Sequence, residues 1–148
     1  MLRRVRCALP HCSLQQAVRI QPQDLWPNFY QGVCASRLGR HEEAVIADSV
    51  CIGAAPKAAN CFYNRALALG SLGRLDQALR DYDTALRLDS AMANAALNRG
   101  VLHYRAKRYD AAMADLCRAS ELGANPEVVR FNRSLVNRAR GAKAVSGP

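Results

Sequence analysis

Aromatic residues make up only 6% of the chain, with a single tryptophan, and no stretch approaches the roughly 18 uncharged apolar residues of a membrane-spanning helix. Arg3, Arg4 and Arg6 are followed by only residues 7–10 before His11, too short an apolar run for a secretory signal. No two of the six cysteines (Cys7, Cys12, Cys34, Cys51, Cys61 and Cys117) have the C-x-x-C spacing of a zinc knuckle or dithiol site, so all are expected to be thiols packed as small hydrophobes. A phosphate-cradling loop is also missing, because Gly70-Ser71-Leu72-Gly73 has neither the lysine nor the preceding strand. No metal and no cofactor are expected. Acids are absent from residues 1–23, as in a mitochondrial presequence, but the absence of export and membrane signals makes the cytoplasm the expected compartment.

Half of the 148 residues are apolar and 22% are charged, which excludes a wholly disordered chain and suits one helical domain. The net charge of +9 is unevenly spread. Residues 1–24 carry +3, 25–58 and 59–92 are neutral, 93–126 carry +2 and 127–148 carry +4. A nucleic-acid binder concentrates its charge along one stripe, whereas an excess at the ends suits solvated termini.

One internal offset dominates. Asn64-Arg65 recurs at Asn98-Arg99 and again at Asn132-Arg133, each time 34 residues on. Residues 59–92 laid over 93–126 give ten identities without a gap, among them Ala78/Ala112, Asp81/Asp115 and Ala85/Ala119. A fixed period in the thirties marks stacked supersecondary units. Within a unit, Phe62, Ala66 and Leu69 recur at helical spacing, Leu72-Gly73-Arg74 interrupts, and Leu75, Ala78, Leu79, Tyr82 and Leu86 make a second helical face. Small residues two turns apart, such as Ala78 and Ala85, let two helices approach closely.

This pattern resembles the tetratricopeptide repeat family over most of the chain. Residues 59–92 present Phe62, Arg65-Ala66, Leu69, Ala78, Tyr82, Ala85 and Ser90 at the family positions. Residues 93–126 present Ala96, Arg99-Gly100, His103, Ala112, Leu116, Ala119 and Ala124. Residues 25–58 present Asn28, Gln31-Gly32, Ala35, Ala44, Asp48, Cys51 and Pro56. The resemblance implies an all-α fold, a right-handed α-solenoid of stacked helix–turn–helix repeats. Repeats one, two and three are expected at 25–58, 59–92 and 93–126. A degenerate half repeat with a basic N-terminus is expected at 1–24, a closing helix at 127–140 and a disordered tail at 141–148. Leu14, Ala17, Val18 and Ile20 in the half repeat lack a partner helix in the sequence, so the chain is expected to start within a longer array or at a degenerate end of one, and to self-associate there.

In this family the first helices line a concave groove. The resemblance therefore implies that Asn64, Asn98 and Asn132 form a ladder of amides able to bind a ligand's backbone. Trp26, Tyr30, Tyr63 and Tyr104 would line the same groove, and Arg37 and Arg105 would favour acidic ligands. Arg65 and Arg99 replace apolar family residues, so their charges are expected to pair with Asp81 and Asp115. The family's grip on heat-shock chaperone tails is not expected. It needs Lys, Asn, Asn, Lys and Arg, in that order, at five places that here hold Phe29, Val33, Asn64, Asn94 and Asn98, with one match. His41 and His103 sit where the family packs a ring, and no catalytic constellation is present. The expected function is a non-catalytic adaptor or scaffold module that holds a peptide or helix of another protein, with no membrane partner. RNA binding by a related helical-repeat fold is the alternative; its 35-residue period and the neutral middle repeats disfavour it.

Overall fold

The computed structural model describes residues 25–145, which form seven helices and no strand. Helix α1 (Leu25–Arg37) pairs with α2 (His41–Ala54), α3 (Ala59–Ser71) with α4 (Leu75–Leu88), and α5 (Ala93–Arg105) with α6 (Tyr109–Glu121). Helix α7 (Pro126–Val145) packs on α6 and touches α5. The first helices start at residues 25, 59 and 93, the 34-residue interval of the sequence repeat. The half repeat at 1–24 and its self-association surface lie outside the described residues.

Each turn between paired helices closes in the same way. The N–H groups of Arg40, Arg74 and Arg108 donate to the carbonyls of Ala35, Leu69 and His103 at 2.9, 2.9 and 2.8 Å. This closure forces the residue before each arginine into the left-handed region. Gly39 (φ 74°) and Gly73 (φ 76°) take that conformation freely, but the third turn places Lys107 there at φ 60°. A side chain in this region crowds its own backbone. Lys107→Gly is therefore expected to stabilise the chain by about 0.5–1 kcal/mol. An unchanged thermal melt would show that the turn carries no such strain.

Alanine sets the helix spacing. Ala44, Ala66, Ala78, Ala85, Ala96, Ala112 and Ala119 are all fully buried, and Leu69, Tyr82, Leu116 and Val136 fill the space they leave. At Gly100 a Cβ would lie 3.2 Å from Leu116 Cγ and from the Ala112 carbonyl oxygen, so α5 and α6 meet there without room for a side chain. Between repeats, exposed ion pairs recur at nearly the same register. Arg74 meets Glu42 at 2.8 Å, Arg108 meets Asp76 at 3.6 Å and Arg140 meets Asp110 at 3.1 Å.

Three findings depart from the sequence reading. Cys51 and Cys61 form a disulfide, so they are not thiols. The short connection between α2 and α3 brings their Cα atoms to 6.0 Å, and the bridge ties repeat one to repeat two. Helix α7 runs through Gly141 to Val145, past the expected end at Arg140. Ala142, Lys143 and Ala144 are good helix formers, and one glycine costs too little to stop a helix of this length. Finally, Asp48 lies in the core with no exposed surface, where repeats two and three hold Tyr82 and Leu116. Among the described residues, no helix is long and apolar enough to cross a membrane.

Candidate functional site: the first-helix face

The first helices α1, α3 and α5, with α7, carry all the groove candidates, and α3 and α5 also carry the arginines of the arginine–aspartate pairs. On α1, Trp26 is 64% exposed and Tyr30 42%. Their rings stack at 6.2 Å, and Phe29 meets both edge-on at 6.3 and 5.6 Å. These three aromatics, spaced along one stretch of helix, form a preassembled apolar platform in contact with solvent. Arg37 ends the same helix and is exposed.

On α3 and α5 the candidates touch one another. Asn98 Nδ2 donates to the Tyr63 hydroxyl at 3.1 Å, a bond that joins the first helices of repeats two and three. Burial raises the Tyr63 phenol above its usual pKa, with the Asn98 bond opposing the shift. Tyr63 also packs edge-on against Tyr82 at 5.9 Å, which anchors its ring from below. Tyr104 is half-buried and leans on Tyr109 at 6.1 Å. Arg105 Nη1 donates to the Gly70 carbonyl at 3.0 Å, so its charge sits at the C-terminal end of α3, where the helix dipole favours a cation.

The three asparagines are not equivalent. Each belongs to a first helix or to α7, one per unit. However, Asn98 spends its N–H on Tyr63, and Asn132 Nδ2 turns back to the Val128 carbonyl of its own helix at 2.8 Å. Asn64 Nδ2 is buried with no hydrogen-bond partner. A uniform ladder of free amides is therefore absent. The sequence period places the residues in register but cannot say whether a neighbouring carbonyl or hydroxyl takes up their donors.

Arg65 and Arg99 reach the second helices. Arg65 Nε and Nη2 donate to Asp81 Oδ2 and Oδ1 at 2.7 and 2.8 Å, and Arg99 makes the same fork to Asp115 at 2.8 and 2.6 Å. Both aspartates are buried. The third nitrogen differs between the two repeats. Arg65 Nη1 donates to the Ser49 hydroxyl at 3.2 Å, whereas Arg99 Nη1 donates to the Asp83 carboxylate at 2.8 Å. His103 Nε2 lies 3.7 Å from Asp115, and burial pushes its pKa below the usual value. Sequence reasoning missed Asp48 and the asymmetry at Ser49. The first had a visible signal, an acid in a place that the family reserves for a ring.

Paired helices repeated at 34 residues, joined by identical turns and stacked through alanine contacts, define a helical-repeat solenoid. Residues 63–128 match the family model for the tetratricopeptide repeat, and the helix pairs within that stretch are tetratricopeptide repeats. Solved structures agree in fold. A tetratricopeptide repeat protein from Parabacteroides merdae is 25% identical with a TM-score of 0.79, and the match covers 89% of this chain and 53% of that one. This chain thus spans about half the length of that relative. The first tetratricopeptide domain of Spaghetti (RPAP3), bound to the HSP90 peptide SRMEEVD, is 22% identical with a TM-score of 0.77 over 80% of this chain and 94% of that one. The TPR2B domain of yeast Sti1, in complex with a pHsp70 peptide, is 24% identical with a TM-score of 0.69 over 78% and 94%. No curated protein matches the sequence.

Proposed function

We propose that this chain is a non-catalytic protein-interaction module, an adaptor or scaffold segment, that holds a peptide or helix of a partner along its first helices. The observation that carries this reading is the exposed aromatic platform of Trp26, Phe29 and Tyr30 on α1, where Phe29 and Tyr30 hold the repeat positions of Tyr63 and Asn98 on α3 and α5. Large aromatics with a polar handle are the side chains that dominate protein interfaces. The peptides bound to the RPAP3 and Sti1 domains support the same use of this fold. Their heat-shock sequences are not proposed as ligands, since Phe29, Val33 and Asn94 stand where a carboxylate grip needs other residues.

The Asn98 amide is held by Tyr63, so its carbonyl oxygen is the group it offers to a ligand's N–H. One such bond contributes about 0.5–1.5 kcal/mol and does not read the ligand's side chains. Tyr104 supplies side-chain selectivity. Peptides selected by phage display against the immobilised full chain test this reading. Asn98→Ala is expected to weaken all selected peptides by a similar factor, about three- to tenfold. Tyr104→Ala is expected to weaken some and spare others. Wild-type binding by both variants, together with Trp26→Ala, would overturn the reading.

A further inference from the structure

The second helices carry a separate feature. A cleft of about 410 Å³ opens between α2 and α4, with Ser49 on one wall, Arg74, Gln77, Arg80 and Asp81 on the other, and Arg65 of α3 at its floor. The chain contains its own control for this cleft, because the interface between repeats two and three repeats it 34 residues on. There Ser49 becomes Asp83, Gln77 becomes Ala111 and Arg80 becomes Ala114, while Arg65, Arg74 and Asp81 are kept as Arg99, Arg108 and Asp115. At that second interface the Asp83 carboxylate takes the free nitrogen of Arg99 at 2.8 Å, and the charges close among themselves. At the first interface the carboxylate is replaced by a hydroxyl that already donates to the Val45 carbonyl, and a further arginine is added. Arg65 is held by Asp81 and Arg74 by Glu42, but the side chains of Arg80 and Gln77 make no hydrogen bond or ion pair among the described residues. The three substitutions raise the local charge by two at a place built to receive a carboxylate.

We propose that this cleft is an oxyanion-binding site, in which a carboxylate or phosphate group of an acidic ligand takes the place that the Asp83 side chain fills in the next repeat. The anion sits between Arg65 Nη1, Arg80 and the free edge of the Arg74 guanidinium, with the Gln77 amide as a neutral donor. The site opens between two second helices, with Arg65 of α3 at its floor, and uses none of the groove's residues.

Titration of the full chain with inorganic phosphate and with acetate, followed by NMR of the arginine side-chain N–H groups, tests the proposal. Saturable shifts at Arg65, Arg74 and Arg80 are expected, and the arm that binds more tightly identifies the oxyanion. Arg80→Ala, which copies Ala114, is expected to weaken binding about tenfold through loss of one charge-assisted partner. Ser49→Asp, which copies Asp83, is expected to abolish binding while the chain melts at or above the wild-type temperature, so loss of fold cannot explain the result. No saturable shift with either anion would overturn the proposal. So would wild-type binding by Ser49→Asp, or an equal loss on Arg87→Ala outside the cleft.

Discussion

Asp48→Leu is expected to raise the stability of this chain strongly at pH 8 and much less at pH 4. Asp48 is fully buried, and neither carboxylate oxygen has a hydrogen-bond partner. Burial pushes its pKa up to about 7; the nearby Arg65 opposes that shift and the nearby Asp81 adds to it. A carboxyl whose pKa is higher folded than unfolded favours the folded state while it stays protonated. Below the unfolded value near 4 the carboxyl is neutral in both states and carries no ionisation penalty. Between about pH 4 and 7 the unfolded chain ionises first, so stability falls as pH rises, and above 7 the loss is complete. The pKa displacement corresponds to a cost on the order of 4 kcal/mol at pH 8. Leucine is the natural replacement, because Asp48 packs on Gly32 as Leu116 packs on Gly100. Denaturant melts of wild type and variant at both pH values check this. A stability difference that does not change with pH would show that Asp48 titrates in the fold as it does in the unfolded chain.

Arg99→Met is expected to cost about 2–4 kcal/mol, because it leaves the buried Asp115 carboxylate without its forked partner. His103 Nε2, at 3.7 Å and with a lowered pKa, is a poor substitute near neutral pH. Asp83 would also lose its contact, but it is exposed and adds little. The double variant Arg99→Met with Asp115→Leu is expected to be more stable than Arg99→Met alone, since an apolar pair carries no desolvated charge. Arg65→Met is expected to cost a similar amount, because it strips the same fork from the equally buried Asp81. A double-mutant cycle by chemical denaturation reads the coupling, and zero coupling would mean that the guanidinium is held by water rather than by Asp115.

Much of the fold was legible in the sequence because a repeat is a one-dimensional signal. The recurrence of Asn-Arg, of Ala78 with Ala112 and of Asp81 with Asp115 states which residues occupy equivalent places, and helical spacing states which face they take. The candidate site was legible to a lesser degree. Trp26, Tyr30 and Tyr63 could be assigned to the first helices from register alone, yet the partner of each polar group could not. Whether an amide is free depends on atoms a repeat away: a tyrosine hydroxyl for Asn98, and a carbonyl one turn back for Asn132.

The sequence by itself determined the number and register of the helix pairs, the turns at Gly39 and Gly73, and the arginine and aspartate positions that share one place per repeat. These follow from period, backbone freedom and alanine spacing, which are properties of the chain taken in order. Only the tertiary structure decided that Cys51 meets Cys61, that Asp48 is sealed in the core without a partner, and that Arg80 shares a cleft with Ser49, where the next interface has the Asp83 carboxylate. Those depend on which side chains the stacking of one repeat on the next brings together, and no pattern within a single repeat encodes them.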